Sequence, residues 1–198
     1  MTTGQTELPA ATDVRRGRVP GEPGVWIFIL GDLIVFGVLF VLFMSQRGSD
    51  PELFNQSQLT LHRAFGGVNT LLLLTSSLLV VLAVGAIRAG EKVARSLLYW
   101  ALACAGVFLV NKGIEWTTLI VDGHGLSSNS FFTYFFVMTG LHAAHVIFGV
   151  GLLIAMVVLS GEGRLSKSQI GLIESFGCYW HLIDILWLVI FPLLYLVH

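Results

Sequence analysis

Between Ser130 and Leu159 the chain runs almost without polar interruption, yet two histidines, His142 and His145, sit in the middle of the run. A stretch of this length reads as a membrane-spanning helix, because about 20 apolar residues cross the hydrocarbon core. A spacing of three puts both imidazoles on one side of that helix. Ionisable side chains at membrane depth are costly and face a bundle interior rather than lipid. The helix therefore needs partners, and the rest of the sequence has to supply them.

It does so four more times. Apolar runs at about Val25–Met44, Val68–Ile87, Leu97–Val121 and Ile170–Val197 predict four further spans. The composition agrees: 55% of residues are hydrophobic and 12% charged, against roughly 25% charged in soluble domains. The expected fold class is all-α, an integral membrane bundle of five transmembrane helices. Residues 1–24 read as a polar tail with no signal-peptide core and 25–198 as the membrane domain. The segment from Ser45 to Gly67 reads as a polar loop turning at Asp50-Pro51-Glu52. Cys104 and Cys178 both lie inside apolar runs and give no sign of a disulfide framework or a cysteine metal site. A net charge of -1 gives no reason to expect a nucleic-acid partner.

Five spans put the termini on opposite sides. With the N-terminus cytoplasmic, the inner segments hold Arg15, Arg16, Arg18, Arg88, Lys92, Arg95, Arg164 and Lys167, whereas the outer segments hold only Arg47 and Arg63. The positive-inside rule then places His198 outside. Five spans do not divide into inverted halves, which argues against a transporter built from repeats.

At about 1.5 Å per residue the charges can be placed in depth. Asp32 falls in the inner half of the first span, where no basic residue shares its level. It is either neutral or satisfied by polar groups, by lipid or by another subunit. Lys112 and Glu115 fall in the outer half of the third span and, three apart, are placed to pair. His142, His145, His181 and Asp184 all come near the midplane, so the last two spans are expected to pack with these four groups facing one another. Glu174 lies near the inner end of the last span. Asp32, an intramembrane carboxylate without an evident partner, is a candidate proton or carboxylate site, whereas the main reading of the other side chains is a structural polar network or lipid contact. Metal or heme ligation by His142, His145 and His181 with Asp184 is the weaker alternative, because the spacing matches no ligand motif. No nucleophile–base set or phosphate-binding loop is present.

Four local patterns carry a resemblance. Ile27-Phe28-Ile29-Leu30-Gly31-Asp32 is followed by Phe36 and Phe40. Asn69-Thr70 is followed by Ser76-Ser77. The third pattern is Phe131 through Thr139-Gly140-Leu141-His142-Ala143-Ala144-His145, and the fourth is Tyr179-Trp180-His181-Leu182-Ile183-Asp184-Ile185-Leu186-Trp187. Together they resemble the heme-copper oxidase subunit III family over about Gly24 to His198. That resemblance implies a non-catalytic subunit with no catalytic residues and no metal of its own. Heme and copper would lie in catalytic subunit I, and phospholipid would be held alongside. Its work would be to support assembly, sustained turnover and proton uptake in the bacterial inner membrane. Members with seven helices set two against five, and this chain resembles the larger arm alone. Asp32, where the family usually has glutamate, together with Asn111-Lys112 and Pro20-Gly21-Glu22-Pro23-Gly24, resembles the branch associated with bacterial nitric oxide reductases. A freestanding membrane transport or metal-binding protein using the intramembrane His/Asp cluster is the alternative.

Overall fold

A computed structural model describes residues 23–161 and 165–197. The polar tail, including Arg15, Arg16, Arg18 and the Pro20-Gly21-Glu22 segment, lies outside the described residues, as do Arg164 and His198. Among the described residues there are six helices and no strand: α1 (Pro23–Ser49), α2 (Pro51–Leu59), α3 (Arg63–Ala89), α4 (Val93–Val121), α5 (Ser130–Leu159) and α6 (Lys167–Tyr195). Five of them, all but α2, are long and apolar enough to cross a membrane. This is the all-helical membrane bundle that the hydropathy pattern requires.

The spans run alternately up and down. The end where α1 begins, here the near end, also carries the α3–α4 turn and the α5–α6 connection. The far end carries α2, the α4–α5 loop and the C-terminal end of α6. Helix α6 is the most buried span and packs against α1, α3 and α5, while α4 packs against α3 and α5. Helix α1 is the least buried. It turns Ile27, Leu30, Ile34, Val38 and Val41 outward. Outside a membrane such a face would be a liability; inside one it is the surface that lipid or another subunit covers.

Helices in lipid gain little from the hydrophobic effect when they associate, so close packing must hold them. The α5–α6 crossing depends on Gly149. A side-chain carbon there would come within 2.8 Å of the Trp180 ring and of Ile183. Gly66 likewise sits under the Phe191 ring on α6. At the far end the rings of Phe43, Phe54, Tyr134 and Phe131 pack edge to face and join α1, α2 and α5.

The polar segment after α1 is not the loop its composition predicts. Asp50 closes α1, its N–H bonding the Gln46 carbonyl, and also begins α2, its carboxylate accepting from the Leu53 N–H. Pro51 takes the first helical position, where its missing N–H costs nothing. Asp-Pro-Glu is thus a helix start rather than a turn. Helix α2 buries Phe54, Ser57 and Gln58, and Gln58 Nε2 donates to the Leu194 carbonyl at 2.9 Å. Arg47 donates to the Val197 carbonyl and to Asn55 Oδ1. These two residues satisfy carbonyls left unpaired where α6 ends.

Candidate functional site

The buried polar residues lie at three levels. Nearest the near end, His145 on α5 reaches α1, where its Nε2 lies 3.3 Å from Asp32 Oδ1. Asp32 therefore has a complementary group at its depth, contrary to the sequence-based expectation. The descending register of α5 and the α1–α5 packing bring His145 to it. The other imidazole nitrogen, Nδ1, is 2.7 Å from the Leu141 carbonyl. A carbonyl oxygen only accepts, so Nδ1 carries a hydrogen. The Nε2···Oδ1 contact then requires one further proton, on the imidazole or on the carboxyl group. Phe36 packs edge-on against the imidazole, and the Tyr179 hydroxyl donates to the His145 backbone carbonyl. Both side chains are 15% exposed on the flank of the bundle.

At mid-depth the expected four-membered cluster does not assemble. His142 is fully buried between the rings of Phe108 and Trp187, centroids 5.7 and 5.2 Å away, and neither ring nitrogen has a hydrogen-bond partner among the described residues. His181 turns toward α3, its Nδ1 2.7 Å from Ser77 Oγ. Asp184, one turn further along α6, has His181 Nδ1 at 4.0 Å, outside hydrogen-bond range. The reason is rotational. His145 faces α1, His142 faces α4 and α6, and His181 faces α3, so groups that share a depth point to different neighbours. Among the described residues no three His, Cys, Asp or Glu side chains come together as a metal-holding group.

At the far level the expected Lys112–Glu115 pair is present, Nζ to Oε2 at 2.7 Å, and both residues are 2% exposed. Tyr195 completes it. Its hydroxyl accepts from Lys112 Nζ at 2.9 Å and donates to Glu115 Oε1 at 2.6 Å. The ammonium also lies about 5 Å from the ring centroids of Phe135 and Trp187, close enough for cation–π attraction. Beside this triad Asn111 donates to Asn69 Oδ1 at 2.6 Å, and the Trp187 indole donates to Thr70. Sequence reasoning did not single out Tyr195. The available signal was that a tyrosine ending an apolar span must find its hydroxyl a partner when buried. Glu174, at the near end, pairs with Arg88 at 2.7 Å.

Residues 12–198 match the family model described as Cytochrome c oxidase subunit III. The chain belongs to that family. A cytochrome c oxidase subunit 3 from Alkalihalophilus pseudofirmus is 32% identical, the match covering 87% of this chain and 84% of that one. A cytochrome bo(3) ubiquinol oxidase subunit 3 from Buchnera aphidicola is 31% identical, with 87% and 84% covered. A heme-copper oxidase subunit I+III from Aeropyrum pernix is 32% identical over 87% of this chain and 22% of that longer protein. These relatives are named as oxidase subunits, and they lend no support to the nitric oxide reductase branch or to a freestanding transporter.

Proposed function

We propose that this chain is the non-catalytic third subunit of a heme-copper respiratory oxidase. It packs beside the catalytic subunit in a bacterial cytoplasmic membrane, with the near end toward the cytoplasm. The observation that carries this reading is the family match along almost the whole chain, seen also where the matching segment shares one polypeptide with a subunit I. The polar residues fit an accessory role. Lys112, Glu115 and Tyr195 satisfy one another in a closed triad. Asp32 and His145 form a hydrogen-bonded pair on the bundle flank, beside the outward face of α1. His142 and Asp184 are packed into the bundle interior, His181 bonds Ser77, and Glu174 closes the near end on Arg88. Heme and copper belong to the partner subunit, this chain holding none, and membrane phospholipid covers what the partner does not.

Affinity purification of the tagged chain from its native membrane in mild detergent tests the reading. The expected product is a complex containing a heme-bearing partner with oxygen reductase activity. A chain recovered alone, or with a partner that reduces nitric oxide but not oxygen, overturns it.

A further inference from the structure

The Lys112–Glu115–Tyr195 triad is buried, but it is not sealed at the far end. A cavity of about 10 Å³ lies between the α2–α3 connection and the last turns of α4. Its lining runs from the exposed Thr60, His62 and Asp122, past Leu61 and Leu119, 5% and 4% exposed, to Glu115, 2% exposed. This gradient gives the direction. The mouth is at the far-end surface, and the buried carboxylate is the floor. From Glu115 to Val121, where α4 ends, is about 9 Å of helix rise. The roof is held in place through α2, where Gln58 bonds the Leu194 carbonyl and Ser57 accepts from Asn129.

Size and chemistry identify the ligand. A cavity this small admits one water and nothing larger; an apolar one stays dry, whereas one with about two to four polar partners holds the water. Among the described residues Glu115 accepts one hydrogen bond at each oxygen, from Tyr195 at Oε1 and from Lys112 at Oε2. A carboxylate has about four acceptor positions, so half of its capacity is unused. The Thr60 and Thr118 hydroxyls, also in the lining, direct their hydrogens to the Ser57 and Ile114 carbonyls, 2.7 and 3.0 Å away, and keep oxygen lone pairs to offer. The site is rich in acceptors and suits a small donor of two hydrogens. Lys112 cancels the Glu115 charge, so the floor favours a neutral ligand over a cation. A buried ion pair holds its place when its remaining lone pairs are satisfied, and a water at this floor supplies what α4 and α6 leave over.

We propose that this cavity is a binding site for one water molecule, which donates to the Glu115 carboxylate and to a neighbouring acceptor. Through it the exchangeable hydrogens of Lys112 and Tyr195 trade one for one with those of the far-end solution. The site depends on this chain's own residues, whichever catalytic partner it has.

The test is water-edited solid-state NMR, which follows the transfer of proton magnetisation from water into labelled side chains. The full chain, carbon-labelled at glutamate and valine, is placed in phosphatidylcholine bilayers, and the Glu115 carboxyl signal is assigned by its loss in Glu115→Gln. That signal is expected to build up severalfold faster than those of Val80 and Val146, both 0% exposed. Thr118→Ile and Thr60→Leu fill the cavity with carbon from α4 and from the roof, and each should slow the build-up toward the valine rate. Thr75→Val, on the outward side of α3, should leave it unchanged. A Glu115 signal as slow as the valines would overturn the site. So would a fast build-up that survives both filling variants, or an equal slowing in Thr75→Val. Circular dichroism and gel filtration establish that each variant is folded, and the comparison with the valines in the unaltered chain keeps the test decisive if a filling variant is not.

Discussion

A lysine and a glutamate that are each 2% exposed in a membrane bundle persist because each charge has a partner and each carboxylate oxygen accepts a hydrogen bond. Tyr195 supplies the answer the sequence did not reveal. Residues 112 and 115 were legible as a pair because helix geometry alone makes i and i+3 neighbours. Residue 195 lies on another helix, and no periodicity links it to them. The same limit separated His145 from Asp32: their shared depth follows from rise per residue, but which helix faces which does not. Tyr195→Phe should therefore cost about 1–2 kcal/mol, the usual cost of leaving a buried partner unsatisfied. Lys112→Met should cost about 3–5 kcal/mol, because it leaves the Glu115 carboxylate buried with only Tyr195. Adding Glu115→Leu to Lys112→Met should recover much of that loss. Unfolding in mixed detergent micelles measures all three. A double variant as unstable as Lys112→Met alone would show that the charge is not what the triad compensates.

At the scale of elements, α5 was read with its true limits, Ser130 to Leu159, because polar residues bracket the apolar run and Asn129 caps its start, accepting from the Phe132 N–H. The other spans begin a few residues before their apolar runs. Basic first-turn residues such as Arg63 and Lys167 look like loop, yet they continue the helix into the headgroup layer. Helix α2 was missed because nothing in its composition is membrane-like and Asp-Pro-Glu can open either a turn or a helix. Asp50→Ala should cost about 1 kcal/mol, the typical loss of an N-cap, and should increase amide exchange in α2 while leaving the spans protected. Unchanged exchange in α2 would mean that tertiary contacts, not the cap, hold it. Packing of α5 on α6 gives a sharper contrast between two glycines on one helix. Gly149→Ala forces a carbon to within 2.8 Å of Trp180 and Ile183, whereas Gly151→Ala meets nothing within 4 Å. The first should destabilise by about 1–3 kcal/mol, as overpacking does. The second should be neutral or stabilising by up to about 1 kcal/mol through helix propensity. Equal melting temperatures for the two variants would contradict the close approach.

For the whole molecule, the difficulty is that a membrane bundle is apolar on both its lipid face and its core face. Hydropathy therefore counts the spans and fixes their depth but does not orient them about their axes. The polar residues are the only rotational markers, and they turn out to face three different neighbours. One marker, the Asp32–His145 pair, faces the flank beside the outward surface of α1. Replacing the Asp32 carboxyl by an amide removes an ionisable group from the pair without changing its shape. In the assembled oxidase, Asp32→Asn should leave complex formation intact and lower initial turnover only modestly. Asp32→Leu removes the hydrogen-bonding partner altogether, leaves His145 Nε2 facing an apolar side chain, and should shorten the active lifetime or weaken assembly more. Both follow from a pair that supports a neighbouring catalytic subunit rather than performing its chemistry. Initial rate and inactivation half-time, measured on the same purified complexes, separate the two effects. Complete loss of first-turnover activity in an intact Asp32→Asn complex would make this carboxyl an obligatory proton carrier, and the accessory reading of it would fail.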